Sequence, residues 1–396
     1  MDTTAYPCGT AVDDSAAIVA PTDDPEAIPP LSGYSTVDST ALAWLDSAEA
    51  TVNANTAIFG SLPNTWIKGN GPDPAGFIRI IRSYRARMRA AAARTPAERA
   101  AVDWDKVIAD ATNGITADLN VAMDPGVGWD VIWVAQHYLF QSWHQMWQFM
   151  VGFADTSGGF DTWLATPVAS RAPFLVITPD RRFPQGTTRA AQQDSITGSP
   201  KVPSGNLYFR NRPGAQDIAG ISLAFSYYDF YRFQAFFNSQ RVGNYPVMTV
   251  AEMKLLAAEG YLRKNQVALA VPLIDYSRVG KGNLPSLAGI TDLTTPVPGG
   301  NSCVPRVPQG PNFTSTACGT IFEALKWEKR METAYIGYGS WYFDSRGWGD
   351  LPQNTALHWP VPWQEMDARS TTSRFYNMPD VSKGTLPGAA ASTYGL

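Results

Sequence analysis

The sequence is short of cysteine, of charge and of long apolar runs. It has three cysteines in 396 residues, and charged residues make up 17%, against about 25% in a typical globular domain. No stretch reaches the roughly 18 apolar residues of a membrane-spanning helix. The opening residues, MDTTAYPCGTAVDD, lack the basic and apolar regions of a signal peptide. A formal net charge of −4 provides no basic field, so we expect no nucleic-acid partner.

The local motifs of most reaction chemistries are also missing. The sequence has no GxSxG, HExxH or GxGxxG motif, and Gly280-Lys281 follows Asp275 where a phosphate-binding loop needs glycine. Cysteine and histidine do not cluster, which argues against zinc. We therefore expect no enzyme, no cofactor and no metal. A glycosidase carboxylate pair leaves no local motif; Asp344 and Asp350 are the first pair to examine, although capping or pairing with arginine is the favoured interpretation.

Aromatic residues, glycine and proline are abundant instead. Aromatic residues make up 12%, including 13 Trp and 16 Tyr, beside 33 Gly and 30 Pro. A ring buries apolar area on its face while its polar edge stays hydrated, which is typical of surfaces that bind sugars or peptides. A large core with long loops accounts for the same composition equally well.

Apolar periodicity predicts a mainly helical chain. Residues 1–37 are rich in Pro, Asp, Ser and Thr, which predicts an extended N-terminal segment, and Asp38 is then predicted to cap the first helix. A helix over 76–93 carries arginines on a face that we expect to be solvated. The most distinctive helix is predicted over 129–150, where a stripe of tryptophans is more typical of core than of a ligand platform.

The C-terminal half alternates helical and irregular segments. Thr249 opens a capping box, and two antiparallel helices up to about residue 278 resemble a tetratricopeptide hairpin. Residues 151–245 are irregular, and such long segments are often functional insertions. Within the Pro/Gly-rich loop 289–318, Cys303 and Cys318 are predicted to form a disulfide, with two unrelated free thiols as the alternative.

Several segments resemble the SusD/RagB family of outer-membrane nutrient-binding proteins. The resemblance begins at VDWDKVIADATNGI and ITPDRRF and is strongest in YPVMTVAEMKLLAAEGYLRKNQVALAVPLIDYSR. It continues in IFEALKWEKRMETAYIGYGSWYFDSRGWGDLP and HWPVPWQEM. Together these segments cover most of the chain in the family's order. The matching positions are Pro246, Met248, Glu252, Leu255, Ala258, Glu259, Arg278, Glu328, Arg330, Glu332, Trp341, Asp344, Arg346, Trp348 and Gly349.

The resemblance implies a fold, a ligand class and a partner. It implies a mainly α SusD-like domain over 38–396, built from tetratricopeptide-like hairpins with long irregular loops, and a ligand region at 151–245. It also implies a non-catalytic protein on the outward face of the cell outer membrane, peripheral or lipid-anchored. There it would bind an oligosaccharide or peptide beside a SusC-like TonB-dependent transporter. Candidate ligand contacts are Trp163, Tyr208 and Phe209, for which loop anchoring is the alternative.

Two other function classes fit the same scaffold. Helical hairpin arrays bind proteins well, so a structural or assembly protein of the cell surface is the second candidate, and a glycoside hydrolase is the third. The matching motif residues themselves are assigned to folding, through ion pairs, capping and packing.

The sequence departs from the family in three places. Asp275 stands where the family has Asn, and Arg181 where it has Pro. The family's N-terminal helical repeats have no counterpart, and Cys8 in YPCGT does not follow a lipobox. We therefore expect residues 1–37, a second copy or another protein to cover the helices that begin near Asp38, unless Met1 is not the true start, which is the favoured interpretation.

Overall fold

Helices make up most of the regular structure of the computed structural model, which describes residues 15–19, 28–130, 145–194, 207–214, 225–337, 339–353, 355–357, 363–369 and 393–395. The helices are α1 (Tyr34–Ala54), α2 (Thr56–Phe59), α3 (Pro74–Ala91), α4 (Pro96–Ala100), α5 (Trp104–Thr112), α6 (Gln148–Gly152), α7 (Gly159–Ala165), α8 (Arg189–Asp194), α9 (Gln234–Asn238), α10 (Val250–Arg263), α11 (Val267–Arg278), α12 (Ile321–Thr333), α13 (Ser340–Trp348) and α14 (Trp363–Ala368). The prediction of a mainly helical fold class is therefore confirmed, and the finer tetratricopeptide-like scaffold stays a prediction.

Short antiparallel strands connect distant parts of the chain. The strands are β1 (Ser15–Ala17), β2 (Leu31–Gly33), β3 (Leu119–Met123), β4 (Gln145–Trp147), β5 (Phe209–Asn211), β6 (Phe225–Phe230), β7 (Gly243–Met248), β8 (Arg306–Pro308) and β9 (Thr316–Cys318). They pair as β1–β2, β3–β7, β4–β6–β5 and β8–β9. The β3–β7 pair leads directly into α10, so it fixes where the central hairpin begins.

The central hairpin consists of α10 and α11. The Thr249 hydroxyl accepts a hydrogen bond from the Glu252 backbone N–H at the start of α10, as the capping box predicts. The turn after α10 passes through Asn265 at φ 56°, a left-handed conformation that Asn tolerates better than most residues. Helix α10 is buried along most of its length between α5, α11 and α12, so the hairpin forms the middle of the molecule.

The arginine face of α3 is not solvated as expected. Arg82 donates to Glu49 on α1, and Arg85 pairs with both Glu49 and Asp110. Acidic residues on α1 and α5 therefore turn this face into the contact between three helices. Periodicity located the arginines correctly, but it carries no information about which acidic residues lie opposite.

The start of α1 also differs from the prediction. The helix begins at Tyr34, and its N-cap Gly33 makes no side-chain capping bond. Asp38 therefore lies inside the helix rather than at its cap, and burial raises the pKa of its carboxyl. Part of the predicted extension, β1 and β2, forms an antiparallel pair that precedes α1 directly.

The helix predicted over 129–150 is wrong at residues 145–147 and correct at residues 148–150. Residues 145–147 form β4, which pairs with β6, and the helix α6 starts only at Gln148. Pairing with β6 outweighs the helical periodicity here, because aromatic residues favour strands where they have cross-strand partners. Residues 131–144 lie outside the described residues.

The Pro/Gly-rich loop 289–318 contains a short ribbon and a disulfide. Arg306 of β8 lies opposite Cys318 of β9. Cys303 and Cys318 are bonded, with their Cα atoms 5.7 Å apart. The loop is therefore held both by strand pairing and by a covalent link.

Candidate ligand-binding groove

The three predicted ligand contacts lie in the core. Trp163, Tyr208 and Phe209 are 5%, 4% and 0% exposed, within the largest hydrophobic cluster. The Phe209 ring stacks on Phe183 with centroids 4.1 Å apart, and the Tyr208 hydroxyl donates to Glu332 at 3.0 Å. Rings closed off in this way offer no face to a ligand, so the prediction of a stacking platform on these residues is wrong.

The segment 151–245 supplies much of the same cluster. It contributes Phe153, Phe160 and Phe230 in addition to the three predicted contacts. In its described part, the lack of periodicity goes with short elements, α7–α9 with β5 and β6. Sequence irregularity and surface position are therefore different properties here.

Helix α12 carries charged residues that are buried in ion pairs. Arg182 lies between Asp180 and Glu328, at 2.7 Å and 2.6 Å, with all three side chains inaccessible to solvent. Ser277 of α11 donates to the same Glu328 carboxylate. Burial raises the pKa of Glu328, against the opposing effect of Arg182. Because its partners come from three segments, this network joins α11 and α12 to the segment before β5.

A second buried network contains Asp344 and Asp350, the two carboxylates that were the first candidates for a glycosidase pair. Asp344 accepts from Arg99 at 3.0 Å and from Lys329 at 2.8 Å. Asp350 pairs with Lys326 at 3.1 Å and also with Arg330. Burial alone would raise the pKa of Asp350, but the two cations outweigh it and hold this pKa below its usual value. Asp350 therefore lacks the raised pKa of a general acid.

The arginine partner of Asp344 anchors the network to the central hairpin. Arg99 is fully buried and donates to Glu259 of α10 at 2.6 Å, while the Trp348 indole donates to the same carboxylate. Burial alone would raise the pKa of Glu259, but Arg99 outweighs it and depresses this pKa well below its usual value. Glu259, Asp344 and Trp348 are among the positions that carry the resemblance, and their contacts here are buried ion pairs and hydrogen bonds.

An open groove lies at the end of α11, on the surface of the hairpin. Its volume is about 690 Å³. Its lining residues are Pro272, Asp275, Tyr276, Val279, Gly280, Lys281 and Ser286. Tyr276 is 44% exposed, so a large part of its ring is open to a ligand. An exposed ring beside polar side chains is the arrangement that sugar-binding surfaces use.

The groove has a rigid base. Both oxygens of the Asp275 carboxylate accept from the Leu287 backbone N–H, and one also accepts from the Ser286 hydroxyl. These bonds tie the end of α11 to the following loop. The sequence did not indicate Tyr276, because it lies within a regular helix and irregular segments are the expected place for a ligand site.

Other kinds of site are not found in the described part of the chain. No group of three or more His, Cys, Asp or Glu side chains is placed to hold a metal among the described residues. None of the described helices is both long enough and apolar enough to cross a bilayer. No protein-family model matches the chain, and neither a curated protein nor a solved structure matches it.

Proposed function

We propose that this protein is a non-catalytic binding protein that captures an oligosaccharide or peptide outside a bacterial cell. Following the SusD/RagB resemblance, the proposal places it on the outward face of the outer membrane, where it passes its ligand to a SusC-like TonB-dependent transporter. The motif residues that carry the resemblance lie in buried networks linking α10, α12 and α13. This supports the proposal, since a shared scaffold is maintained by such residues while the ligand surface varies.

One observation carries the binding proposal, and it is the exposed Tyr276 ring in the open groove. The ring is held on the regular helix α11, whose end is fixed by Asp275. A platform on a rigid element loses little conformational entropy when a ligand stacks on it. The ion-paired state of Asp344 and Asp350 further favours binding over hydrolysis.

Binding and turnover can be measured together on a panel of glycans and peptides. We expect saturable binding without product formation, and a loss of roughly tenfold in affinity for Tyr276→Ala, which corresponds to about 1.4 kcal/mol. Calorimetry gives the affinity, and mass spectrometry follows products.

The matched control is Trp44→Ala on α1, because Trp44 is 46% exposed and is not among the groove-lining residues. This variant should bind as the unmodified protein does. Products accumulating beyond one turnover would contradict the non-catalytic role, and an unchanged affinity in Tyr276→Ala would remove the groove from the proposal.

A structural or assembly role is the second candidate, and a different surface favours it. Trp44, Ile58 and Trp66 are exposed large apolar residues in and after α1 and α2. Clusters of such residues often mark protein contacts. Self-association in light scattering, combined with no binding to any member of the panel, would favour this role over ligand capture.

A further inference from the structure

The pairing of lysines distinguishes the groove from the rest of the surface. Of the seven lysines in the described ranges, five lie within 4.0 Å of a carboxylate. The other two, Lys254 and Lys281, have no such partner among the described residues. Lys281 lines the groove, and the Lys254 ammonium lies 4.9 Å from the centroid of the Tyr276 ring. The Lys254 ammonium is therefore in a cation–π contact with the exposed Tyr276 ring, and Lys281 lines the same groove.

A third cation, Arg278, lies two positions after Tyr276 on α11 and is not among the groove-lining residues. Arg278 is fully buried, and its guanidinium donates to the backbone carbonyls of Pro285 and Val304. It has no carboxylate within 4.0 Å among the described residues, and its Nη2 has no hydrogen-bond acceptor. The buried carboxylates of Glu328 and Asp180 also act electrostatically on this guanidinium, so the cations of the groove itself are Lys281 and Lys254.

The negative groups near the groove are already engaged. Asp275 is the single carboxylate among the described residues that line it, and this group accepts hydrogen bonds from Ser286 and Leu287. The end of a helix also carries partial negative charge, which would oppose an anion. Here the terminal carbonyls of Asp275, Ser277 and Arg278 accept backbone hydrogen bonds from the following loop, which reduces that opposition. Two lysines, Lys281 and Lys254, therefore accompany one engaged carboxylate at this groove.

We propose that the Tyr276 groove takes an acidic oligosaccharide, with a sugar ring on Tyr276 and its uronate or sulfate group on Lys281 and Lys254. This inference rests on the proposed binding function and adds the ligand class. A saccharide fits better than an acidic peptide, because the backbone groups of a helix are used internally and offer no strand edge to an extended peptide. Side-chain donors beside a ring are sufficient for a sugar.

A matched pair of ligands tests the charge requirement. Tetragalacturonate and its fully methyl-esterified form share the same rings and differ in charge. We expect calorimetry to show the acid form binding at least about tenfold more tightly than the ester at low salt, with the difference shrinking near 1 M NaCl, where the Debye length falls to about 3 Å. A sulfated tetrasaccharide and its desulfated form, run in parallel, distinguish sulfate from uronate as the acidic group.

Variants assign the effect to the groove. Lys281→Met should weaken binding of the acid form about fivefold, as expected for a partly exposed charge pair, and leave the ester unaffected, while Lys281→Arg restores acid binding. Lys254→Met should act in the same direction. The isosteric Asp275→Asn removes the lining carboxylate and keeps a hydrogen-bonding side chain, so it should strengthen acid binding severalfold. A thermal melt of each variant checks the fold.

Each outcome decides between the proposals. Equal affinity for the acid and ester forms would overturn the acidic ligand class and leave the proposed binding function standing. If the preference for the acid form persists in both Lys281→Met and Lys254→Met, the acidic ligand binds elsewhere on the protein, and the inference is overturned. Binding of acidic peptides in place of any saccharide would do the same. No binding of any ligand would overturn the binding function as well.

Discussion

Single residues in α12 show why a charged side chain in a sequence does not reveal its burial. The helix has Lys326, Glu328, Lys329, Arg330 and Glu332 within seven positions, which by composition alone looks like a solvated surface. All five are buried in the structure. Charges survive in a core when each is paired and hydrogen bonded, and these partners come from α11, α13 and the segments around 180 and 350. Their positions are too distant in sequence for local patterns to predict them.

Glu328 is the position where this network can be tested. Glu328→Gln removes the closest carboxylate of Arg182 and leaves Asp180 at 2.7 Å and Glu332 at 3.7 Å. Breaking a buried pair typically costs about 3 kcal/mol or more. We therefore expect a decrease of this size in the free energy of unfolding, measured by urea denaturation. Burial raises the pKa of Glu328. A negligible change in the free energy of unfolding would therefore contradict the ion pair and show that the Glu328 carboxyl is protonated in the folded protein.

The control for this prediction is an exposed pair. Lys106 lies 3.2 Å from Asp103, with side chains 63% and 48% exposed. Lys106→Met should change the free energy of unfolding by less than about 0.5 kcal/mol, because surface pairs away from special features contribute little. The contrast between the two variants separates the effect of burial from the loss of a charge.

At the scale of elements, the disulfide loop offers a direct test. In a chain-entropy model, closing a loop of about 15 residues stabilises a fold by roughly 3 kcal/mol. The β8–β9 pairing already brings Arg306 opposite Cys318, so we expect Cys303→Ser with Cys318→Ser to cost somewhat less than this. Thermal melts of this double variant and of Cys8→Ser, the unrelated cysteine, measure the difference. Two thiols free to alkylation in natively isolated protein would contradict the link.

Elements were predictable from sequence where their signals are local. The capping box at Thr249 and the aspartate cap of α5 at Asp103 are present, since each depends on bonds spanning three residues. The strand at 145–147 was not predictable, because its pairing with β6 joins residues about eighty positions apart. The same reason explains the buried Trp163, whose environment is assembled from remote segments. The groove was not predictable either, because Tyr276 fits the regular helical pattern of α11 and gives no local signal of a binding site.

At the scale of the whole molecule, two helices connect the hydrophobic clusters. Helix α12 contributes Trp327 to the largest cluster and Leu325 to the second, while α10 contributes Leu255 to the second and Leu256 to the third. The clusters therefore share elements and should unfold together. Helix α1 contributes no residue to these clusters, and Val52 is its single buried side chain among 21 residues. Its attachment depends instead on ion pairs with α3, those of Glu49 with Arg82 and Arg85 and that of Asp46 with Arg85.

This distribution predicts a gradient of local stability that depends on salt. Regions with few buried apolar contacts open at lower free energy than the core, so amide hydrogens of α1 should exchange much faster than those of α10, ten of whose 14 residues are buried. Raising NaCl from about 0.1 M to about 1 M shortens the Debye length from about 10 Å to about 3 Å. We expect this change to speed exchange in α1 and leave α10 unaffected.

Hydrogen exchange read by mass spectrometry measures both helices in one sample, and Glu49→Gln provides the control. Because Glu49 accepts from Arg82 and lies 2.9 Å from Arg85, the variant should show fast exchange in α1 already at low salt, with little further response to NaCl. If α1 exchanged as slowly as α10 in a monomeric sample, the ion pairs would not be its main attachment. Slow exchange in α1 that appears only in an assembled sample would instead identify its exposed side, around Trp44, as a contact surface.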